Sequence, residues 1–174
     1  MKIIIGAGRT KYKGWFNTDK RILNVTDEKH FQRLFGKRKI DFILAEHVLE
    51  HLTIDQINMM IKNLEKYSNE NLNIRIAVPD GNNSDNNYIN MVKPGGTGDG
   101  SSDHKNLFTY KSLNKIFLKH RFRPTLVEYW DETGIFHSSY NDDEKGNILR
   151  SSVNDPRNKE DKLFYTSLIV DYHK

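Results

Sequence analysis

The residues of this chain best suited to chemistry are two closely spaced glycines, a few acids that follow apolar stretches, and two histidine-containing motifs. Ile3-Ile4-Ile5 runs directly into Gly6-Ala7-Gly8, which reads as a buried strand ending in a turn whose missing side chains let the backbone approach a ligand closely. Asp19 closes the next short stretch, Trp15-Phe16-Asn17-Thr18-Asp19, where a carboxylate can accept from both hydroxyls of a ribose. Together they point to a nucleoside-type cofactor, although no third glycine completes the dinucleotide fingerprint. His47-Val48-Leu49-Glu50-His51 has the H-x-x-E-H spacing in which two histidines one helical turn apart hold zinc and the glutamate acts as base. The motif follows a strand immediately and no recognisable third ligand motif lies downstream, so no metal is expected. Glu46 and His47 are read instead as lining a cofactor pocket. Asp103-His104 ends a long polar stretch, and an imidazole there, with its ordinary pKa near 6.5, suits proton removal from a hydroxyl acceptor.

The elements that must position these groups alternate between strand and helix patterns. Ile22-Leu23-Asn24-Val25 reads as a third short strand and Asp41 to Ala45 as a fourth, with a helix from Asp27 to Gly36 between them. Ile57, Met60, Ile61 and Leu64 recur at helical spacing, which predicts a helix from about Ile54 to Tyr67. Asn73 to Val78 is the next strand, ended by Pro79. Tyr110 to His120 repeats the helical spacing, and Thr125 to Trp130 and Phe164 to Tyr172 return as strands. Such alternation predicts an α/β sheet with helices on both faces. The stretch from about 81 to 105 is polar and irregular; it follows a strand and so begins on the ligand side of the sheet. Only Arg9 to Trp15 separates the first two strands, shorter than the dozen or more residues of an ordinary parallel crossover. The first three strands are therefore expected to be abbreviated, without a helix between the first and second.

Composition sets the limits. A length of 174 residues predicts a single domain spanning 1–174. The absence of cysteine excludes disulfides, thiolate nucleophiles and sulfur-ligated metals, and makes the reducing cytoplasm the expected address. No apolar run approaches the roughly 18 residues of a membrane span. The net charge of +4 is spread along the chain rather than gathered into a basic stripe, which argues against a nucleic-acid partner and for an ordinary solvated surface.

The segments IIIGAG (3–8), GWFNTD (14–19), ILNVTD (22–27), DFILAEHVLEHL (41–52) and IRIAVPDG (74–81), followed by SDHKNLFTYKSL, EYWDETGIFH, ILRSSVNDPRN and YTSLIVD, resemble a family of small predicted S-adenosylmethionine-dependent methyltransferases of the class I type. The resemblance covers nearly the whole chain. It implies a Rossmann-like methyltransferase sheet, S-adenosyl-L-methionine as cofactor, and methyl transfer to a small polar acceptor, with sugar or surface-glycan intermediates suggested by the resemblance alone. It places Gly6, Ala7 and Gly8 under the methionine part of the cofactor, Asp19 at the ribose, and Asn24 and Val25 at the adenine. Glu46 and His47 would line the same pocket. His104 with Asp103 would serve the acceptor side as base, where Asp80, His137 and Arg150 would bind substrate. Two other readings stay open: a non-catalytic binding module that keeps the fold, and a zinc hydrolase built on His47, Glu50 and His51.

Overall fold

The computed structural model describes residues 1–159 and 162–174. Seven strands form one sheet in the order β2-β1-β3-β4-β7-β5-β6, where β1 is Lys2–Ile5, β2 Trp15–Asn17, β3 Ile40–Glu46, β4 Ser68–Pro79, β5 Arg123–Trp130, β6 Phe136–Ser138 and β7 Ser167–His173. The strands β2, β1, β3 and β4 are parallel, while β7 runs antiparallel to both of its neighbours, β4 and β5. This is a mixed, mainly parallel α/β sheet.

Among the described residues four α-helices accompany it: α1 (Glu28–Phe35), α2 (Ile54–Tyr67), α3 (Asn86–Val92) and α4 (Tyr110–Lys119). The α2 boundaries match the sequence expectation, and the start of the helix is marked. Thr53 accepts from the Gln56 amide while the Gln56 side chain accepts from the Thr53 amide, a reciprocal cap. The apolar stripe of α2, Ile57, Met60, Ile61 and Leu64, is fully buried. It packs in one cluster with Phe31 and Phe35 of α1, Phe117 of α4, and Ile3, Ile43, Ile74, Ile76 and Val170 of the sheet.

The opposite face departs from the expectation of helices on both sides. There Ile4, Leu44, Ala77 and Ile169 are covered by Tyr140 and Ile148 from the irregular segment between β6 and β7, and among the described residues no helix lies on this face. Polar ties hold that segment down. Arg75 of β4 donates to Asp171 of β7, to Asp143, and to the carbonyl of Gly146. Glu128 of β5 is buried and accepts from the amide and hydroxyl of Ser152.

Two further expectations change. Ile22–Val25 is not a strand: Leu23 and Val25 turn into the helix-side core from a loop, and the Asn24 side chain accepts from the Thr26 amide and hydroxyl. The polar stretch 81–105 contains α3, whose Tyr88 and Val92 are buried one turn apart on one side. Tyr88 Oη accepts from the Asp80 amide and donates to the Thr166 carbonyl, seating α3 at the end of β4. Among the described residues no helix is long and apolar enough to cross a membrane.

Candidate active site

A cavity of about 990 Å³ opens at the carboxyl ends of β1 and β3, the position at which open parallel sheets bind ligands. Its floor is the Gly6–Thr10 turn. Gly6 and Gly8 both take left-handed backbone (φ +64° and +54°), and a Cβ on Gly6 would stand 2.5 Å from Val48 Cγ2. Glycine is therefore required at Gly6 by both conformation and space. The connection onward to β2 is a loop, as the short spacing predicts.

The second wall begins where β3 ends. His47 has φ +53°, unusual for a residue with a side chain, and this turn throws the chain from β3 into a single tight helical turn, Leu49–His51. Ser167 Oγ donates to the Arg150 carbonyl and lies 3.0 Å from His47 Nε2. With the hydroxyl hydrogen so committed, Nε2 is the donor of that pair. His47 Nδ1 stands 3.0 Å from Glu50 Oε1, off the line of a hydrogen bond, so both carboxylate oxygens of the fully buried Glu50 remain without a hydrogen-bond partner. Burial is the largest single influence and works to raise the pKa of Glu50, but the adjacent His47, the backbone at Glu50 and the nearby His51 together hold the carboxyl below its ordinary value.

The two histidines of the H-x-x-E-H motif do not share a helical face, because His47 lies outside the turn and reaches β7. His51 points elsewhere. Its Nδ1 lies 3.3 Å from Asp103 Oδ2 and its ring meets the edge of His104, 4.7 Å between centroids. His104 is brought there by backbone ties: the Lys105 and Asn106 amides donate to the Glu50 carbonyl, and the Asn106 side chain donates to Leu52. His104 Nδ1 lies 2.6 Å from the Val92 carbonyl at the end of α3. Since a carbonyl only accepts, Nδ1 carries the hydrogen and Nε2 keeps its lone pair.

Gly6, Ala7, Gly8, Glu46, His47, His104 and Arg150 thus line one cavity. The Glu46 carboxylate already accepts from the Leu149 and Arg150 amides, tying the covering segment to β3. Asp103 touches His51 but is itself largely exposed and held by Lys105. The other expected residues lie apart from the cavity lining. Asp19 is exposed beyond β2, with Oδ1 accepting from the Arg21 and Ile22 amides. Asn24 and Val25 sit in the loop already described. His137, on edge strand β6, bonds Asp131 Oδ2 at 2.7 Å and stacks on Tyr129.

Asp80 is fully buried under the sheet end, where it accepts from the Asn82 and Trp130 amides. Burial pushes its pKa up to about 6 against the pull of those amides. A carboxyl whose folded pKa exceeds its unfolded one stabilises the fold below the unfolded value and loses that contribution as pH rises through about 6. A carbon-detected NMR titration is expected to place the Asp80 midpoint near 6. The stability of the wild type relative to Asp80→Asn should fall between about pH 4 and 6; a midpoint near 4 would contradict this.

Sequence reasoning did not anticipate the roles of Glu50 and His51 in the wall, of Met91 and Val92 from α3, or of Tyr165, whose ring lies beneath the Arg157 guanidinium at 3.9 Å. Arg157 also forms a paired contact with Asp155, at 2.9 and 2.7 Å. The signal for α3 was present: Asp85 as N-cap, accepting from the Asn87 amide, followed by apolar residues at 88 and 92.

No protein-family model matches the chain, and no curated protein matches it. Among solved structures it is similar to a SAM dependent methyltransferase from Archaeoglobus fulgidus, with a TM-score of 0.59 at 15% identity over 99% of this chain and 85% of that one. It is also similar to LepI in complex with SAM, with a TM-score of 0.52 at 10% identity, covering 99% of this chain and 36% of that one. The chain has the fold of the S-adenosylmethionine-dependent methyltransferases.

Proposed function

We propose that the chain is an S-adenosylmethionine-dependent methyltransferase acting on a small polar acceptor, of the sugar or surface-glycan type that the sequence resemblance implies. The observation behind this reading is the cavity itself: it opens at the carboxyl ends of parallel strands and is floored by a left-handed glycine turn. The Gly6–Gly8 backbone would lie against the amino-acid part of the cofactor. The exposed Asp19 has Oδ1 occupied by its own turn and, from outside the cavity lining, would offer Oδ2 to the ribose hydroxyls. The cofactor supplies an activated methyl group; the chain's part is to orient the donor, exclude water and hold the acceptor oxygen in line with the departing sulfur. The polar wall of His51, His104 and Arg150 is the acceptor side.

Calorimetric titration with S-adenosylhomocysteine tests the reading. Stoichiometric binding is expected, and Asp19→Ala should weaken it by about 1.5–3 kcal/mol, the range for hydrogen bonds to a charged group. The non-catalytic module has one feature in its favour, the absence of a helix between β1 and β2 whose N-terminus would face the cofactor. No heat at millimolar ligand would select that module over the enzyme.

A further inference from the structure

We propose that Glu50, His51 and His104 form a binding site for a first-row divalent cation in the wall of the cavity. One ligand atom from each of the three lies within 4.8 Å of the other two. Bonds of about 2.0–2.2 Å put tetrahedral ligands about 3.3–3.6 Å apart, so the site closes with side-chain movements on the order of 1 Å. The second, independent observation is the carboxylate. Glu50 is fully buried and neither of its oxygens has a hydrogen-bond partner, with the His47 ring 3.0 Å from Oε1 as a close counter-charge; a carboxylate so buried and so poorly bonded gains from a further positive charge.

The histidines are already oriented as ligands. His104 Nδ1 is tied to the Val92 carbonyl and His51 Nδ1 faces Asp103, which leaves Nε2 on each ring to bind. Oxygen acceptors behind metal-bound histidines are the usual second layer of such sites. Two imidazoles and one carboxylate suit Zn²⁺, Fe²⁺ or Co²⁺ better than Mg²⁺ or Ca²⁺, which prefer all-oxygen sets. His104 then serves as a ligand in place of the base role expected from sequence, and His47 stays outside the set as the partner of Ser167. All three residues line the cavity, so a cation held there would meet an acceptor that offers hydroxyl or carboxylate oxygens. That last step rests on the methyltransferase reading; the site itself does not.

The test is calorimetric titration of chelator-treated, dialysed protein with Zn²⁺ and no methyl donor present. One Zn²⁺ per chain is expected. Affinity should fall at least about tenfold in each of His51→Ala, His104→Ala and Glu50→Gln, and stay unchanged in His30→Ala. The two alanine variants alter partly exposed side chains, and circular dichroism checks that they fold. Less than one Zn²⁺ per chain, or binding that survives both alanine variants, would overturn the site. Titrating the zinc-free protein with S-adenosylhomocysteine reports separately on the donor pocket, so failure of either idea is distinguishable from failure of the other.

Discussion

Replacing Arg75 by alanine is expected to lower the unfolding free energy by about 3–5 kcal/mol, the cost of leaving buried charges without their partner. The guanidinium is 2% exposed and meets two carboxylates edge to edge: Asp171 at 2.8 and 2.9 Å and Asp143 at 2.8 and 3.0 Å. Burial alone would make Arg75 easier to deprotonate, but the two acids reverse this and hold it charged. Removal would strand Asp171, itself 1% exposed, beside a single partly exposed lysine, Lys145. Arg75→Lys should recover little, because one ammonium cannot present the forked donors that the two carboxylates and the Gly146 carbonyl use. Pairing Arg75→Ala with Asp171→Asn should cost less than the sum of the two single changes. Urea denaturation of the wild type and the four variants checks these statements; strict additivity would show that the network is not a unit.

The glycine turn gives the second large effect. Gly6→Ala is expected to destabilise by about 2–4 kcal/mol, combining roughly 1–2 for a side chain in left-handed backbone with the overpacking of Val48 Cγ2. Gly8→Ala has the same backbone penalty but nothing within 4 Å of the new methyl, so about 1–2 kcal/mol is expected. The difference between the two isolates the packing of the turn against the segment that carries Glu50 and His51. Thermal denaturation that gave equal losses would mean that Val48 moves aside freely.

The long helices and central strands were legible because their signals are local. The stripe of α2 and its Thr53–Gln56 cap lie within a few residues of one another, and the isoleucines of β1 abut a glycine turn. Ile22–Val25 misled for the opposite reason: its apolar residues fill the core, but from a loop, and the pattern of burial alone does not separate the two. Asn24, with Thr26 and Asp27 after it, was the turn signal that competed. The covering of the second face was not legible because buried acids and Arg75 hold it down, without a periodic apolar stripe. In the site, the H-x-x-E-H spacing drew attention to His47. The fold instead sets it aside through a left-handed backbone turn and recruits His104, more than fifty residues away in sequence. No local pattern records that meeting, since it depends on α3 being seated on the end of β4.

The place of β7 has a consequence for how the chain reaches this state. Residues 167–173 form the strand that joins β4 to β5, so the β5–β6 hairpin has no strand pairing with the parallel strands until those residues are available. The contacts that close the sheet are therefore among the most distant in sequence, and chains dominated by such contacts fold slowly. Until closure, β4 and β5 each present an unpaired edge, the kind of surface on which strands of separate molecules add to one another. A nascent or shortened chain lacking 167–173 would combine an apolar sheet with two open edges, which makes this strand the point at which productive folding and aggregation part.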